Sequence, residues 1–301
     1  MKNSLLKMRE FVTYLLSVII LFYICTEIFY AGENDDPILE DKPASQWIKQ
    51  LRSENRGLQL RAATALAKAP AEIQPKIVPL LIPVLQSERE NDKFVAAQVL
   101  GNFGPVARSA VPHLLPLLEG TQYERNRAAA AKALGQILKD AEPSDEVEKV
   151  TQALIAVFPD KYSDVRREAV IACGMIGPAA KSCIPYLPRM FDDAKYHSKP
   201  QGGPSWSEMY MVHAAAAWTA GRMGALAACH IDRLIAMLQG DRDISTTVVW
   251  AIGEIGPVHE NVIPNLINRL EKALYGQYGG FAVGALSFTI GDIKEGTTEE
   301  Y

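Results

Sequence analysis

Apolar positions in this chain recur on two scales. Over short spans they fall at i, i+3, i+4 and i+7, the stripe of an amphipathic helix; Val111, Leu114, Leu115 and Leu118 form one such stripe, and Ile231, Leu234, Ile235 and Leu238 another. Over longer spans a seven-residue string of small and aliphatic residues returns, at Arg61 to Ala67, Val95 to Gly101, Ala129 to Gly135, Glu168 to Gly174, Ala215 to Gly221, Thr247 to Gly253 and Phe281 to Ser287. With the last residue of each string as anchor, successive anchors lie 34, 34, 39, 47, 32 and 34 residues apart. Such a period marks an array of helical units.

The spacing also predicts a second helix after each anchor. Positions 10, 13, 14 and 17 beyond Ala67 are Ile77, Leu80, Leu81 and Val84, and beyond Gly253 they are Ile263, Leu266, Ile267 and Leu270. Gly135 needs five more residues to reach Val150, Ala153, Leu154 and Val157, which accounts for its longer interval. Pro112, Pro185 and Pro264 suit a first helical turn, where a missing N–H is tolerated. Gly104-Pro105, Gly177-Pro178 and Gly256-Pro257 place a left-handed residue and then a helix breaker at helix ends. Each unit is therefore predicted to be a helical hairpin that buries its stripe only against its neighbours. The predicted fold class is all-α, an elongated α-solenoid of about seven hairpins.

On these residues the chain resembles the HEAT repeats of the bacterial, phycobilisome-lyase-like kind. The run Asp164-Val165-Arg166-Arg167-Glu168-Ala169, continuing to Cys173-Gly174 and Gly177-Pro178, is similar to that family's second helix. The resemblance covers about residues 43 to 291, and only Ala67 and Ser287, in the terminal repeats, depart from the glycine anchor. It implies a solenoid whose anchor helices line the inner wall. It says little about function, because this fold serves scaffolds, adaptors and a few lyases.

Comparing the repeats with one another exposes a candidate surface. Three residues before the anchor the copies read Thr64, Gln98, Lys132, Ile171, Trp218, Trp250 and Gly284; one residue after it they read Lys68, Asn102, Gln136, Met175, Arg222, Glu254 and Phe288. These two positions are four apart and share a helix face, and their tolerance of Lys and Gln implies solvent. The ridge is polar in its first half and apolar in its second. Ile171, Met175, Trp218, Arg222, Trp250, Glu254 and Phe288 are the candidate protein-binding residues, since Trp and Arg in an accessible groove are common hot spots. The competing expectation is that both tryptophans fold sideways into packing between repeats.

The 47-residue interval contains an insertion, 192–208, carrying Tyr196, His197 and Trp206 in a turn-rich stretch. These three join the candidate binding residues, because long loops on rigid scaffolds often carry function. Asp192, Asp193 and His197 have no metal-ligand spacing, so no metal site is predicted, and nothing calls for a cofactor.

The first 31 residues set the address. Lys2, Lys7 and Arg9 precede an apolar run from Phe11 to Cys25, the layout of an export signal. Cleavage after Ala31 and retention as a membrane anchor over 11–31 both remain open, the first disfavoured by bulky Phe29, the second by Glu27. Either outcome puts the body of the protein outside the cytoplasm, in a periplasm-like compartment. The expected organisation is a signal or anchor at 1–31, a linker at 32–42, the solenoid at 43–291 and an acidic tail at 292–301. Cleavage would leave Cys173, Cys183 and Cys229, each in an apolar helical pattern and read as small buried hydrophobes, with one bridge at most.

Composition narrows the function. A formal charge of -4 and a pI near 5.8 offer no basic surplus for phosphates, so nucleic-acid binding is not expected. No histidine pair, phosphate-cradling glycine loop or nucleophile elbow is present, and His213, His230 and His259 read as helix-face or loop residues. The expected function is a non-catalytic scaffold or assembly subunit holding other protein subunits along its concave groove and insertion. The layout of export segment, short solenoid and no active site is similar to assembly subunits of extracytoplasmic redox complexes such as nitrite oxidoreductase tubules. Self-association is a further expectation, and membrane contact depends on retention of residues 11–31. The alternative, implied by the family, is a lyase or isomerase acting on a bilin-like chromophore.

Overall fold

The structure, a computed structural model, describes residues 36–119, 122–192, 206–238 and 245–256 together with Pro264; for 206–211, 238, 245 and 246 it describes the backbone alone. The export segment, most of the insertion with Tyr196 and His197, the seventh anchor string with Phe288, and the acidic tail lie outside the described residues, as does the side chain of Trp206. The chain divides into two units, Met1–Ile77 and Val78–Tyr301.

In the first unit a two-stranded antiparallel turn, β1 (Ile38–Leu39) and β2 (Lys42–Pro43), leads into α1 (Ala44–Leu51) and α2 (Arg56–Ala67). The end of the expected linker is thus tied down. Trp47 explains why: it is buried, its indole N–H donates to the Leu39 carbonyl (2.8 Å), and the Lys42 ammonium lies 4.5 Å from its ring centre. Asn55 starts α2 by accepting from the N–H groups of Gly57 (2.9 Å) and Leu58 (3.2 Å), a side-chain cap of the kind worth about 1 kcal/mol. Leu51, Ala62, Ala65 and Leu66 close the core of this unit. On its outer face Thr64 and Lys68 are accessible, as the ridge comparison predicts.

α3 (Gln74–Leu81) carries residues of both units. The second unit continues through α4 (Glu90–Asn102), the short α5 (Val111–Leu114), α6 (Glu124–Ile137), α7 (Asp145–Ala156), α8 (Ser163–Ile176), α9 (Leu187–Phe191), α10 (Trp206–Met223), α11 (Ile231–Leu238) and α12 (Ser245–Ile255). Tight 3-10 turns fill Gly104–Ala110, Gly177–Tyr186 and Gly224–His230. The anchor helices α4, α6, α8, α10 and α12 pack side by side in chain order, which is the all-α solenoid the periodicity predicts.

The anchors are glycine because the helices touch there. A Cβ on Gly135 would lie 2.6 Å from the Cα of Ala172, and one on Gly221 would lie 2.9 Å from the Cα of Ala251. In each case the neighbour sits two residues before the next anchor, so the recurrent small residue there and the glycine form one close-approach device. Where that small residue is Thr219, its hydroxyl donates to the Val170 carbonyl (2.9 Å) and so remains satisfied while buried.

The anchor helices also share a polar position one turn and more before the small-residue string ends. Eight residues before the anchor stand Lys93, Arg127, Arg166 and His213, and of these Arg127, Arg166 and His213 are buried. Arg127 pairs with Asp160 (2.7 Å) and donates to the Gln122 carbonyl, while Arg166 donates to the Asp160 carbonyl (2.7 Å). The two arginines thus satisfy carbonyls of the turns that enter their helices.

Three expectations need correction. Cys229 is exposed, because in the turn Gly224–His230 it is Ala227 and His230 that face inward. His230 is buried, donating from Nε2 to the Ile184 carbonyl (2.8 Å) with its ring edge-on to Phe191. His213, expected as a polar helix-face residue, is likewise buried.

Candidate protein-binding groove

Four of the described repeats carry a left-handed glycine three residues after the anchor: Gly104, Gly177, Gly224 and Gly256 all have φ between +56° and +87°. The repeat anchored at Gly135 has Leu138 there. Its left-handed residue comes two positions later and is not glycine; Asp140 has φ +51°. A left-handed backbone costs an L-residue roughly 1–2 kcal/mol, least for Asp and Asn. Two interactions hold Asp140 in place. Its N–H donates to the Met175 carbonyl of the next anchor helix (2.9 Å), and its carboxylate forms an ion pair with Arg222, two repeats further on.

Arg222 is held in turn by its Nε, which donates to the carbonyl of the anchor Gly174 (3.2 Å), while its guanidinium lies 6.0 Å from the ring centre of Trp218. Around this latch an open groove of about 670 Å³ is lined by Asn102, Gln136, Lys139, Asp140, Met175, Trp218 and Arg222, with Gly101, Gly104 and Pro105 at one end. All of it belongs to the second unit.

The groove lies at the seam of the ridge. Asn102 and Gln136 come from the polar half, Met175, Trp218 and Arg222 from the apolar half, and every one occupies a position picked out by comparing the repeats. The described ridge positions are accessible: Gln98, Lys132, Asn102 and Glu254 are exposed, and Ile171, Met175, Trp218, Arg222 and Trp250 are half-buried. Ile171, Trp250 and Glu254 do not line this groove.

Both tryptophans fold sideways into the packing between repeats and keep part of their surface accessible. The six-membered ring of Trp218 rests against Gly174, where a Cβ would come within 2.5 Å of Cζ3, and that of Trp250 rests against Gly221 in the same manner (2.7 Å). Each ring therefore leans across onto the preceding anchor while staying half open to solvent. Lys139 and Asp140 were missed, because they fall in the five-residue excess and have no counterpart in other repeats. The missing glycine three residues after Gly135 was the available signal.

Elsewhere, Asp192 of the insertion is paired with Arg233. Among the described residues no group of three potential ligands converges on a metal position. On α7, hydrogen bonds from Gln152 and Ser182 (both 2.8 Å), with Lys181 nearby, hold the carboxyl of Glu148 below the usual range.

Residues 44–135 match the family model described as HEAT repeats. No curated protein sequence matches the chain significantly. Among solved structures, an engineered protein is similar with a TM-score of 0.54 and 20% identity, covering 83% of this chain and 68% of that one. The crystal structure of a Kap121p mutant is similar with a TM-score of 0.61 and 18% identity; it covers 87% of this chain, which spans only 28% of that one. The complex of CpcE and CpcF of phycocyanin lyase from Nostoc sp. PCC7120 gives a TM-score of 0.47 at 20% identity over 85% of this chain and 100% of that one. The first two likenesses are of fold.

Proposed function

We propose that this chain, an all-α solenoid whose residues 44–135 match the HEAT-repeat model, is a non-catalytic assembly scaffold that receives partner subunits in the groove between Asn102 and Arg222. Protein binding is the general use of such a fold. The groove is supported as the place by one observation above others: an accessible Trp218 and Met175 beside an Arg222 that a distant carboxylate holds in position. Aromatic and Arg side chains fixed in advance lose little entropy when a partner arrives, which is what makes them effective anchors.

The groove's titratable groups favour binding over chemistry. Its carboxylate, Asp140, already faces Arg222, and Cys173 and Cys183 are buried beneath the surface. The basic head and apolar run of residues 1–25 support export, and the layout supports a redox complex outside the cytoplasm as the source of partner subunits, with the 192–208 insertion as a second contact and higher-order assembly as the outcome.

The test is recovery of partners from native membranes with wild type and with Trp218→Ser/Met175→Ser, checked for unchanged helicity by circular dichroism. Loss of stoichiometric partners with the fold intact supports the groove; retention of all of them rules it out. Alkaline phosphatase fused after residue 42 reads the address, active if exported and inactive if not. A bound bilin in the purified native protein would favour the lyase alternative.

A further inference from the structure

Three polar side chains of the groove carry unspent hydrogen-bonding capacity. Among the described residues Asn102, Gln136 and Lys139 make no hydrogen bond or ion pair, whereas Arg222 and Asp140 meet each other. Asn102 and Lys139 are exposed and Gln136 is half-buried. Gln136 reaches over Gly101, where a Cβ would come within 2.5 Å of its Oε1, so the bare anchor leaves room for this amide on the groove floor. The charged lining groups, Lys139 and Arg222 against Asp140, leave a surplus of one positive charge on a chain whose formal charge is -4. Beside them Met175 and Trp218 form a half-buried apolar wall.

We propose that the occupant of this groove is an extended segment of a partner chain, carrying a carboxylate about three residues from an aromatic or aliphatic side chain; the inference rests on the groove reading above. The two carboxamides set the conformation. Each offers N–H donors and a carbonyl acceptor, the complement of a peptide unit whose own N–H and C=O are unspent. An extended or polyproline-II chain presents such units, whereas a docked helix uses its backbone groups internally. The groove runs across four anchor helices in succession, α4, α6, α8 and α10. Packed helices lie about 9 Å apart and a polyproline-II chain advances about 3.1 Å per residue, so about three residues match one repeat. Charge selects the carboxylate. Arg222 already faces Asp140, which leaves Lys139 as the lining cation without an acidic partner among the described residues. Lys139 follows α6, and the wall of Met175 and Trp218 begins on α8, one repeat further on; that step fixes the separation between the acidic and the apolar side chain.

The test pans a phage-displayed library of random dodecapeptides on the full chain and measures the enriched peptide by fluorescence anisotropy. The expected family carries an acidic residue about two to four positions from an aromatic or aliphatic one. Asn102→Ala/Gln136→Ala should weaken its binding about tenfold. Lys139→Gln, or replacement of the peptide's acid by its amide, should weaken it about threefold and flatten its salt dependence. Circular dichroism and an unchanged denaturation midpoint show that the variants keep the fold. No enriched family, a basic family, or a family whose affinity either variant leaves unchanged overturns the inference. The groove reading fails separately. Partner recovery that survives Trp218→Ser/Met175→Ser removes the groove itself, whereas partners lost in that variant, with no acidic family from panning, remove only the extended acidic occupant.

Discussion

The turn after Gly135 and the turns after Gly101, Gly174 and Gly221 solve one geometric problem in different ways. Three of them use a glycine three residues on, which adopts the left-handed region freely and carries no side chain into the space beyond. The fourth uses Asp140, which bears the cost of that conformation and puts a carboxylate into the groove, where Arg222 meets it. In an array built from copies, the copy that breaks the pattern at an energetic cost is where function should be sought. The contrast separates residues that build the stack from residues that equip it.

Substitutions at the building positions should have the largest effects. Gly135→Ala puts a methyl group 2.6 Å from the Cα of Ala172, and backbone cannot move aside as a side chain can. We expect a loss of about 3 kcal/mol, the upper end of ordinary overpacking, read as a lower denaturation midpoint with an unchanged slope. A loss under about 0.5 kcal/mol, the range of an inert surface change, would show that the helices are not held by close approach.

Arg222→Ala removes the ion pair to Asp140, a hydrogen bond to Gly174 and the cation–π contact with Trp218. Because the pair is partly exposed, solvent screening limits its share, and we expect about 1 kcal/mol in stability together with loss of partner binding. Asp140→Gly sharpens the comparison further. It converts this turn to the form the others use, so relief of the left-handed backbone should offset most of the lost ion pair. We expect a net change within about 0.5 kcal/mol, with binding weakened as in Arg222→Ala; full binding by Asp140→Gly would remove the turn from the functional account.

The smallest expected effect lies in the alkaline limb of the pH profile. The folded pKa of Cys173 is raised, so its thiol contributes stability that is fully present below the unfolded thiol's pKa, about 8.5, and is lost as pH rises from there towards the folded value. Reduced wild type should therefore lose stability above about pH 8.5 more steeply than Cys173→Ala; equal slopes would contradict the burial of this thiol.

Much of this was legible in the primary structure. The seven-fold return of small residues placed the anchors, and the accessible ridge emerged from the positions that varied around them, because repetition acts as an internal alignment. Asp140 was not legible in the same way. It stands at a position with no counterpart, and an insertion read as length alone hides a left-handed residue. The buried polar side chains at Arg127, Arg166 and His213 were missed because polarity at the start of a helix reads as solvent exposure, whereas the two arginines serve the carbonyls of the preceding turn. His230 and Cys229 exchange their expected environments because a 3-10 turn shifts which residues face inward relative to a continuing α-helix.

The most direct measurement is site-specific photocross-linking in the native membrane, with benzoylphenylalanine placed at Gln136 in the groove and, for comparison, at Lys149 on α7. A defined partner subunit joined through position 136 and not through position 149 is the predicted result. Equal cross-linking from both positions, or partner capture through 149 alone, would contradict the assignment of this groove as the binding surface.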